Sequence, residues 1–267
     1  MKVYLETKTL DGYVDDLDLT TDKTEAEIVL IGSRKFDLKP FVNAKGIFRT
    51  GAGKDNIPWD DAKDMNVDVG FPSVDTTDVI FRETANFTCN AILRWCYRSV
   101  GELESWTKFN RKALNSYKLL VVGTGNIGTQ VCEKMKNFMD VSTFDILKNQ
   151  TSEFEDLVKK SDIVSLHIPL NDRTRGFFGE VELSYMKNDS LLVNTARGPI
   201  VDEEALNKEL MANRLSATFD VFWEEPYRGK LKSLHPNPFY MTPHISSTCK
   251  EFLEGMNYDF REFIKNL

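Results

Sequence analysis

Lys118-Leu-Leu-Val-Val-Gly123-Thr-Gly125-Asn-Ile-Gly128 sets a short apolar run directly against three glycines spaced G-x-G-x-x-G. The run is near-continuously apolar, which suits a strand covered on both faces of a parallel sheet. The mixed polar and apolar stretch at 126–138 carries the spacing of a helix. Strand, glycine turn and helix in this order are the context in which the fingerprint signifies dinucleotide binding. Gly123 permits the tight turn, Gly125 lets the backbone approach a pyrophosphate, and Gly128 lets helix and strand pack closely, with Asn126 and Ile127 in the same cradle. Free amides at the helix start then face the phosphates. The structural alternative is a glycine turn with no ligand.

Outward from this turn the pattern repeats. Strands are expected at 118–122, 141–144, 162–168, 190–194, 215–219 and 239–242, with helices at 126–138, 152–160, 179–187 and 202–213. The first third alternates short apolar runs at 2–5, 27–31, 46–49 and 67–71, read as strands, with polar helical stretches. Between the two blocks a long helix is expected over 77–108, with apolar area to spare for a subunit contact, and a final helix over 251–267 carries Phe252, Met256, Phe260 and Ile264. The fold class read from this is α/β, with two Rossmann-like parallel-sheet domains. Residues 1–83 form a substrate-binding domain completed by the C-terminal helix 247–267, and residues 84–246 form the dinucleotide-binding domain.

Ligands in open α/β sheets bind outside the carboxyl ends of the strands. Asp145 closes the strand after the cradle, near the spacing of about 20 residues at which a carboxylate meets the adenosine ribose hydroxyls. A carboxylate repels a 2′-phosphate, so NAD is favoured over NADP, although Lys148 is close enough to serve a phosphorylated ribose. His167 and Pro169 end another strand and are assigned to the cofactor side, with a purely structural role as the alternative for His167, and Thr195 and Ala196, which lead into Arg197, are assigned there too. Arg197, Glu225 and His244 follow at strand ends. Arginine grips a carboxylate with two parallel hydrogen bonds, and histidine exchanges protons near neutral pH. Hydride transfer to a 2-keto acid needs both. Arg197 would clamp the substrate carboxylate, His244 would protonate the carbonyl oxygen, and Glu225 would support the imidazolium through its other nitrogen. Structural alternatives exist for each: a cap or a partner of Asp202 for Arg197, a turn residue for Glu225, and a packed histidine for His244. His235, in Leu-His-Pro-Asn-Pro, reads as a turn histidine.

Composition narrows the classes. With 34 basic and 41 acidic residues the formal charge is −7, which disfavours nucleic acid or an anionic membrane as the main partner. No apolar run approaches a membrane span, so a cytoplasmic protein is expected. Cys89, Cys96, Cys132 and Cys249 lack metal-ligand spacing and read as small buried residues, and no metal is expected.

The stretches Gly51-Ala-Gly-Lys-Asp-Asn-Ile57, Val122 to Gly128, Ser161 to Leu170, Val193-Asn-Thr-Ala-Arg-Gly-Pro-Ile-Val-Asp202, Asp220-Val-Phe-Trp-Glu-Glu-Pro226 and Thr242-Pro-His-Ile-Ser246 together resemble the D-isomer-specific 2-hydroxyacid dehydrogenases. The resemblance covers nearly the whole chain. It implies NAD(P)-dependent interconversion of a D-2-hydroxy acid and its 2-keto acid in a homodimer whose active-site cleft lies between two domains. It further implies that Arg197 binds substrate, that Glu225 supports His244 as the general acid or base, and that Asp220 lies near the nicotinamide. Amides around Ala52 and Gly53 are implied to help hold the substrate carboxylate, with His244 and Arg197 completing the substrate contacts. Glyoxylate or hydroxypyruvate is the expected small substrate, because the turn at Gly51 to Gly53 shows no partner for a second large anion. Two departures stand out: Arg82 precedes Glu83 where relatives usually have alanine, and the connection after Asp145 is short, so an open adenosine pocket is expected. The competing readings are a catalytically silent NAD-binding regulatory or corepressor-like protein and a methyltransferase using a similar glycine turn.

Overall fold

The computed structural model describes residues 1–267. The chain divides into two compact units, Met1–Glu83 with Ser247–Leu267, and Thr84–Ser246.

In the first unit, β1 (Val3–Leu5), β2 (Ile28–Ile31), β3 (Gly46–Arg49) and β4 (Asp68–Gly70) form an all-parallel sheet in that order. Alternation along each strand sends neighbouring side chains to opposite faces. Ile28, Leu30 and Phe48 join a core with Ile80, Phe252, Met256 and Phe260, whereas Val29, Ile31 and Ile47 pack with Phe36, Leu38, Phe41 and Ile57. A short helix between β3 and β4, α1 (Trp59–Asp64), adds Ala62 to the second core, its first turn carrying Asp60 and Asp61.

α2 (Val74–Cys96) begins earlier and ends much earlier than the expected 77–108. Its start is fixed by Ser73, whose Oγ accepts from Thr76 N at 3.3 Å while its own N and Oγ donate to Asp259. Past Cys96 the helical spacing of apolar residues lapses, and the chain turns back as a hairpin of β5 (Gly101–Glu102) and β6 (Thr107–Lys108). Gly101 is needed there because a Cβ would come within 2.6 Å of the Thr107 carbonyl oxygen.

The second unit continues with β7 (Lys118–Val122), α3 (Asn126–Met135), β8 (Asp140–Phe144), α4 (Glu153–Lys160), β9 (Ile163–Leu166), α5 (Glu180–Tyr185), β10 (Ser190–Asn194), α6 (Glu203–Met211), β11 (Leu215–Phe219) and β12 (Phe239–Met241). The last helix of the chain, α7 (Lys250–Lys265), returns to the first unit. The six strands form one parallel sheet in the order β8-β7-β9-β10-β11-β12. Leu120, Val122, Val164, Leu166 and Leu192 face a core completed by Phe154, Val158, Leu183 and Leu206 from α4, α5 and α6. Leu119, Val121, Ile163, Leu191 and Val193 face Ile92, Trp95, Val131 and Met135 from α2 and α3. Both faces are thus covered, which is why Leu119–Val122 in β7 and Leu191–Val193 in β10 run continuously apolar. The strand order reverses between β7 and β9, the point at which an open parallel sheet presents a ligand crevice. No helix is long and apolar enough to cross a membrane.

Candidate active site

The cradle forms at the β7–β9 switch point. Gly123 adopts φ +93°, and a Cβ there would stand 2.6 Å from the His167 carbonyl oxygen. A Cβ on Gly128 would meet Gly123 O at 2.0 Å, so the first turn of α3 lies directly on the strand end. Gly125 differs: nothing lies within 4 Å of where its Cβ would be, and no side chain caps the start of α3. An open glycine beside uncapped helix amides fits the pyrophosphate of a dinucleotide. Asn126 is exposed at this opening, while Ile127 packs into the core beneath it.

Asp145 closes β8 with its carboxylate on the cradle. Its Oδ2 accepts Thr124 N at 3.0 Å and Thr124 Oγ1 at 2.7 Å, and its Oδ1 accepts Leu147 N at 3.0 Å. These donors, the Thr124 amide foremost, hold the carboxyl below its ordinary range. Lys148 Nζ donates to the same Thr124 Oγ1 at 2.7 Å, so a carboxylate and an ammonium share one hydroxyl. Beyond Asp145 the short connection is closed by Lys148 N and Asn149 N on Asp145 O, leaving Leu147 91% exposed.

His167 Nε2 lies 2.8 Å from Ser165 Oγ, and burial pushes the imidazole down to about 4. It is therefore neutral near pH 7, with its backbone against Gly123. Pro169 is exposed two residues on, its carbonyl accepting Thr174 Oγ1.

At the end of β10 the buried Asn194 shapes the turn that carries Arg197. Its Oδ1 accepts Ala196 N at 3.0 Å, and its Nδ2 donates to Arg197 O at 2.9 Å. Arg197 is half-buried, with Nη1 donating to Ala196 O. Gly198 follows because the chain of the next loop passes against it: a Cβ there would meet the Phe222 carbonyl carbon at 2.1 Å. That loop holds Glu225, whose Oε1 accepts Phe222 N at 3.3 Å. His244 Nδ1 lies 2.8 Å from Glu225 Oε2 and 3.0 Å from Oε1.

His244 sits in the left-handed region at φ +56°, a conformation that needs outside support in a non-glycine residue. Asp220 supplies it. This fully buried carboxylate accepts Thr242 Oγ1 at 2.5 Å and Ile245 N at 2.9 Å on Oδ1, and Ser246 N at 2.8 Å on Oδ2. All three donors belong to the segment around His244. Neither this role of Asp220 nor that of Asn194 or Thr124 could be read from one sequence, since each depends on which backbone amides converge on it.

Ala52 and Gly53 follow β3 in the first unit. Gly51 there adopts φ +153°, with the Arg49 guanidinium so close that a Cβ would stand 2.7 Å from it. His235, by contrast, stacks on Tyr240 and accepts Met241 N through Nδ1.

Residues 93–246 match the model of the D-isomer specific 2-hydroxyacid dehydrogenase NAD binding domain. The hydroxypyruvate reductase of Thermotoga maritima is 32% identical over 270 residues, 93% of this chain and 84% of that protein. The glyoxylate reductase of Thermococcus litoralis is 31% identical over 268 residues, covering 89% and 75%. A crystal structure of D-lactate dehydrogenase from Aquifex aeolicus, complexed with NAD and lactic acid, superposes with a TM-score of 0.79 at 22% identity, covering 99% of this chain and 94% of that one.

Proposed function

The chain belongs to the D-isomer specific 2-hydroxyacid dehydrogenases, and from that premise we propose that it reduces a small 2-keto acid, glyoxylate or hydroxypyruvate, to the D-2-hydroxy acid and catalyses the reverse oxidation. The observation that carries this reading is the His244–Glu225 pair at 2.8 Å, built at the same strand ends as an open glycine cradle. Gly123, Gly125, Asn126, Ile127 and Gly128 would hold the pyrophosphate of NAD, Asp145 the adenosine ribose, and His167, Pro169, Thr195, Ala196 and Asp220 the remaining cofactor side. NAD supplies or accepts the hydride when bound.

Glu225 bonds Nδ1 of His244, and the proton exchange with the substrate oxygen is assigned to Nε2. Its carboxylate stabilises the imidazolium formed when the hydroxy acid is oxidised. Arg197 grips the substrate carboxylate, and a guanidinium stays charged throughout. Amides at Ala52 and Gly53 are assigned to the substrate carboxylate as well.

A homodimer in the cytoplasm completes the proposal. The dimer is supported by the hairpin after α2, where Leu103 and Trp106, 83% and 78% exposed, together offer apolar surface to a second copy. Light scattering should give twice the monomer mass; a concentration-independent monomer would remove the dimer.

The test of the activity is a screen of 2-keto acids with NADH, followed by absorbance. Turnover of glyoxylate or hydroxypyruvate is expected. NADH binding without turnover of any keto acid would instead favour a silent NAD-binding protein, and selective turnover of a bulky aromatic acid would reject the small-acid assignment.

A further inference from the structure

Thr88 lies on α2 with no exposed surface, among Ala85, Cys89, Ala91 and Ile92. A hydroxyl in such surroundings is costly unless bonded. Its Oγ1 donates to Thr84 O at 2.8 Å, the usual back-bond of a helical threonine. A hydroxyl has one hydrogen to give. The second contact, Thr88 Oγ1 to Thr195 Oγ1 at 3.0 Å, therefore takes its hydrogen from Thr195. Thr195 is itself buried and lies two residues before Arg197.

The turn after β10 thus has two anchors. Asn194 holds it from within through Ala196 N and Arg197 O, and Thr88 holds it from the helix through the Thr195 side chain. We propose that Thr88 is a positioning residue that fixes the Arg197 turn for capture of the substrate carboxylate. The proposal rests on the assignment of Arg197 as the carboxylate clamp.

If Thr88 cannot accept, the Thr195 hydroxyl is left without a partner in a closed environment. Threonine relieves this by rotating about χ1, which brings its methyl into the space of the hydroxyl and pushes on the adjoining backbone. A bidentate guanidinium–carboxylate contact depends on direction, so a small tilt of the turn weakens it. The glycine cradle and Asp145 stand on β7 and β8, away from this strand end, so the pyrophosphate and ribose contacts are kept and NADH is affected less than the carboxylate clamp.

The test compares Thr88→Val, which keeps the shape and removes the acceptor, with Thr88→Ser, which keeps the acceptor and loses a methyl. The readout is the Kd of oxamate, a non-reducible 2-keto-acid analogue, measured by fluorescence on the NADH-loaded protein, beside the Kd of NADH. Thr88→Val should weaken oxamate about 3- to 10-fold, the range for one lost buried hydrogen bond, with a smaller change in NADH and Thr88→Ser close to wild type. Thr195→Val, at a residue assigned to the cofactor side, should lose at least as much oxamate affinity as Thr88→Val, and adding Thr88→Val to it should cost nothing more, as for a coupled pair. Unchanged oxamate affinity in Thr88→Val, or equal losses in Val and Ser, overturns the proposal. If Thr88→Val does not fold, Thr195→Val and Thr88→Ser decide by the same measurement. Oxamate binding in a wild-type protein that reduces no keto acid would sink the dehydrogenase assignment while leaving Thr88 to stand or fall on its Kd; no oxamate binding in wild type would remove the clamp and this proposal together.

Discussion

Arg197, His244 and Asp145 carry the proposed chemistry through different terms, and their losses should look different. His244→Ala removes the proton donor as charge develops on the carbonyl oxygen, a contribution typically worth about 10²–10⁴-fold in turnover. NADH titration should be nearly unchanged in that variant, and near-normal turnover by a folded His244→Ala protein would free His244 from the acid/base role. Arg197→Ala should raise KM for the keto acid as well as lower kcat, and Arg197→Lys should recover only part of the loss, because a point ammonium cannot reproduce the planar fork. Asp145 is poised against Lys148 across one threonine hydroxyl. Asp145→Asn removes the charge that repels a 2′-phosphate and leaves the ammonium in place, so NADPH should tighten about 10-fold while NADH weakens. Adding Lys148→Ala should cancel the NADPH gain, and parallel titrations read both effects. In the unaltered protein the Thr124 bonds keep Asp145 ionised below the ordinary carboxylate value of 3.8, so discrimination against NADPH should persist on acidification to that point.

At the scale of elements, the loop from β12 to α7 matters more than its length suggests. Its left-handed residue is His244, and its amides are gathered by the Asp220 carboxylate at the end of β11. Asp220→Asn replaces one acceptor oxygen with a donor facing an amide hydrogen. Hydrogen bonds to a charged group are worth ~1.5–3 kcal/mol each, so stability should fall by at least that amount and kcat should fall with it. Thermal unfolding and steady-state kinetics check the pair; full stability with lost turnover would remove the loop-holding role of Asp220. α7 plays a different part: Met256 and Phe260 are fully buried against the β1–β4 sheet, so the first unit depends on residues from both ends of the chain.

For the molecule as a whole, His167 ties stability to pH. Its folded-state value of about 4 lies below the ordinary 6.5, because burial favours the neutral ring. A group depressed in this way contributes stability that is complete above the ordinary value and is lost as pH falls from 6.5 towards 4, where the unfolded chain binds a proton that the folded chain refuses. The cofactor-free protein should therefore lose Tm across that window. His167→Asn, which cannot titrate, should lose less over the same interval, and parallel slopes in the two proteins would remove His167 as the cause.

Much of this was legible in the chain itself. Leu119 to Val122 followed by Gly123, Gly125 and Gly128 determined a strand, a turn and a helix locally, because apolar continuity and glycine spacing are short-range signals. Asp145, Arg197, Glu225 and His244 could be chosen because their side-chain chemistry suits the reaction and each follows a recognisable strand. Helix ends were less legible: α2 stops at Cys96, where tertiary packing gives way to a hairpin whose strands are only two residues long, too short to leave a periodic signal. The tertiary structure alone decided how the chosen residues are held. Thr88 meets Thr195 from a distant part of the chain, three backbone and hydroxyl donors converge on Asp220, and Gly198 is glycine because the Phe222 backbone crosses it. Such contacts depend on the register of β10 against β11 and on the seating of α2 over the sheet, and no local pattern of residues encodes a hydrogen bond between segments that only folding brings together.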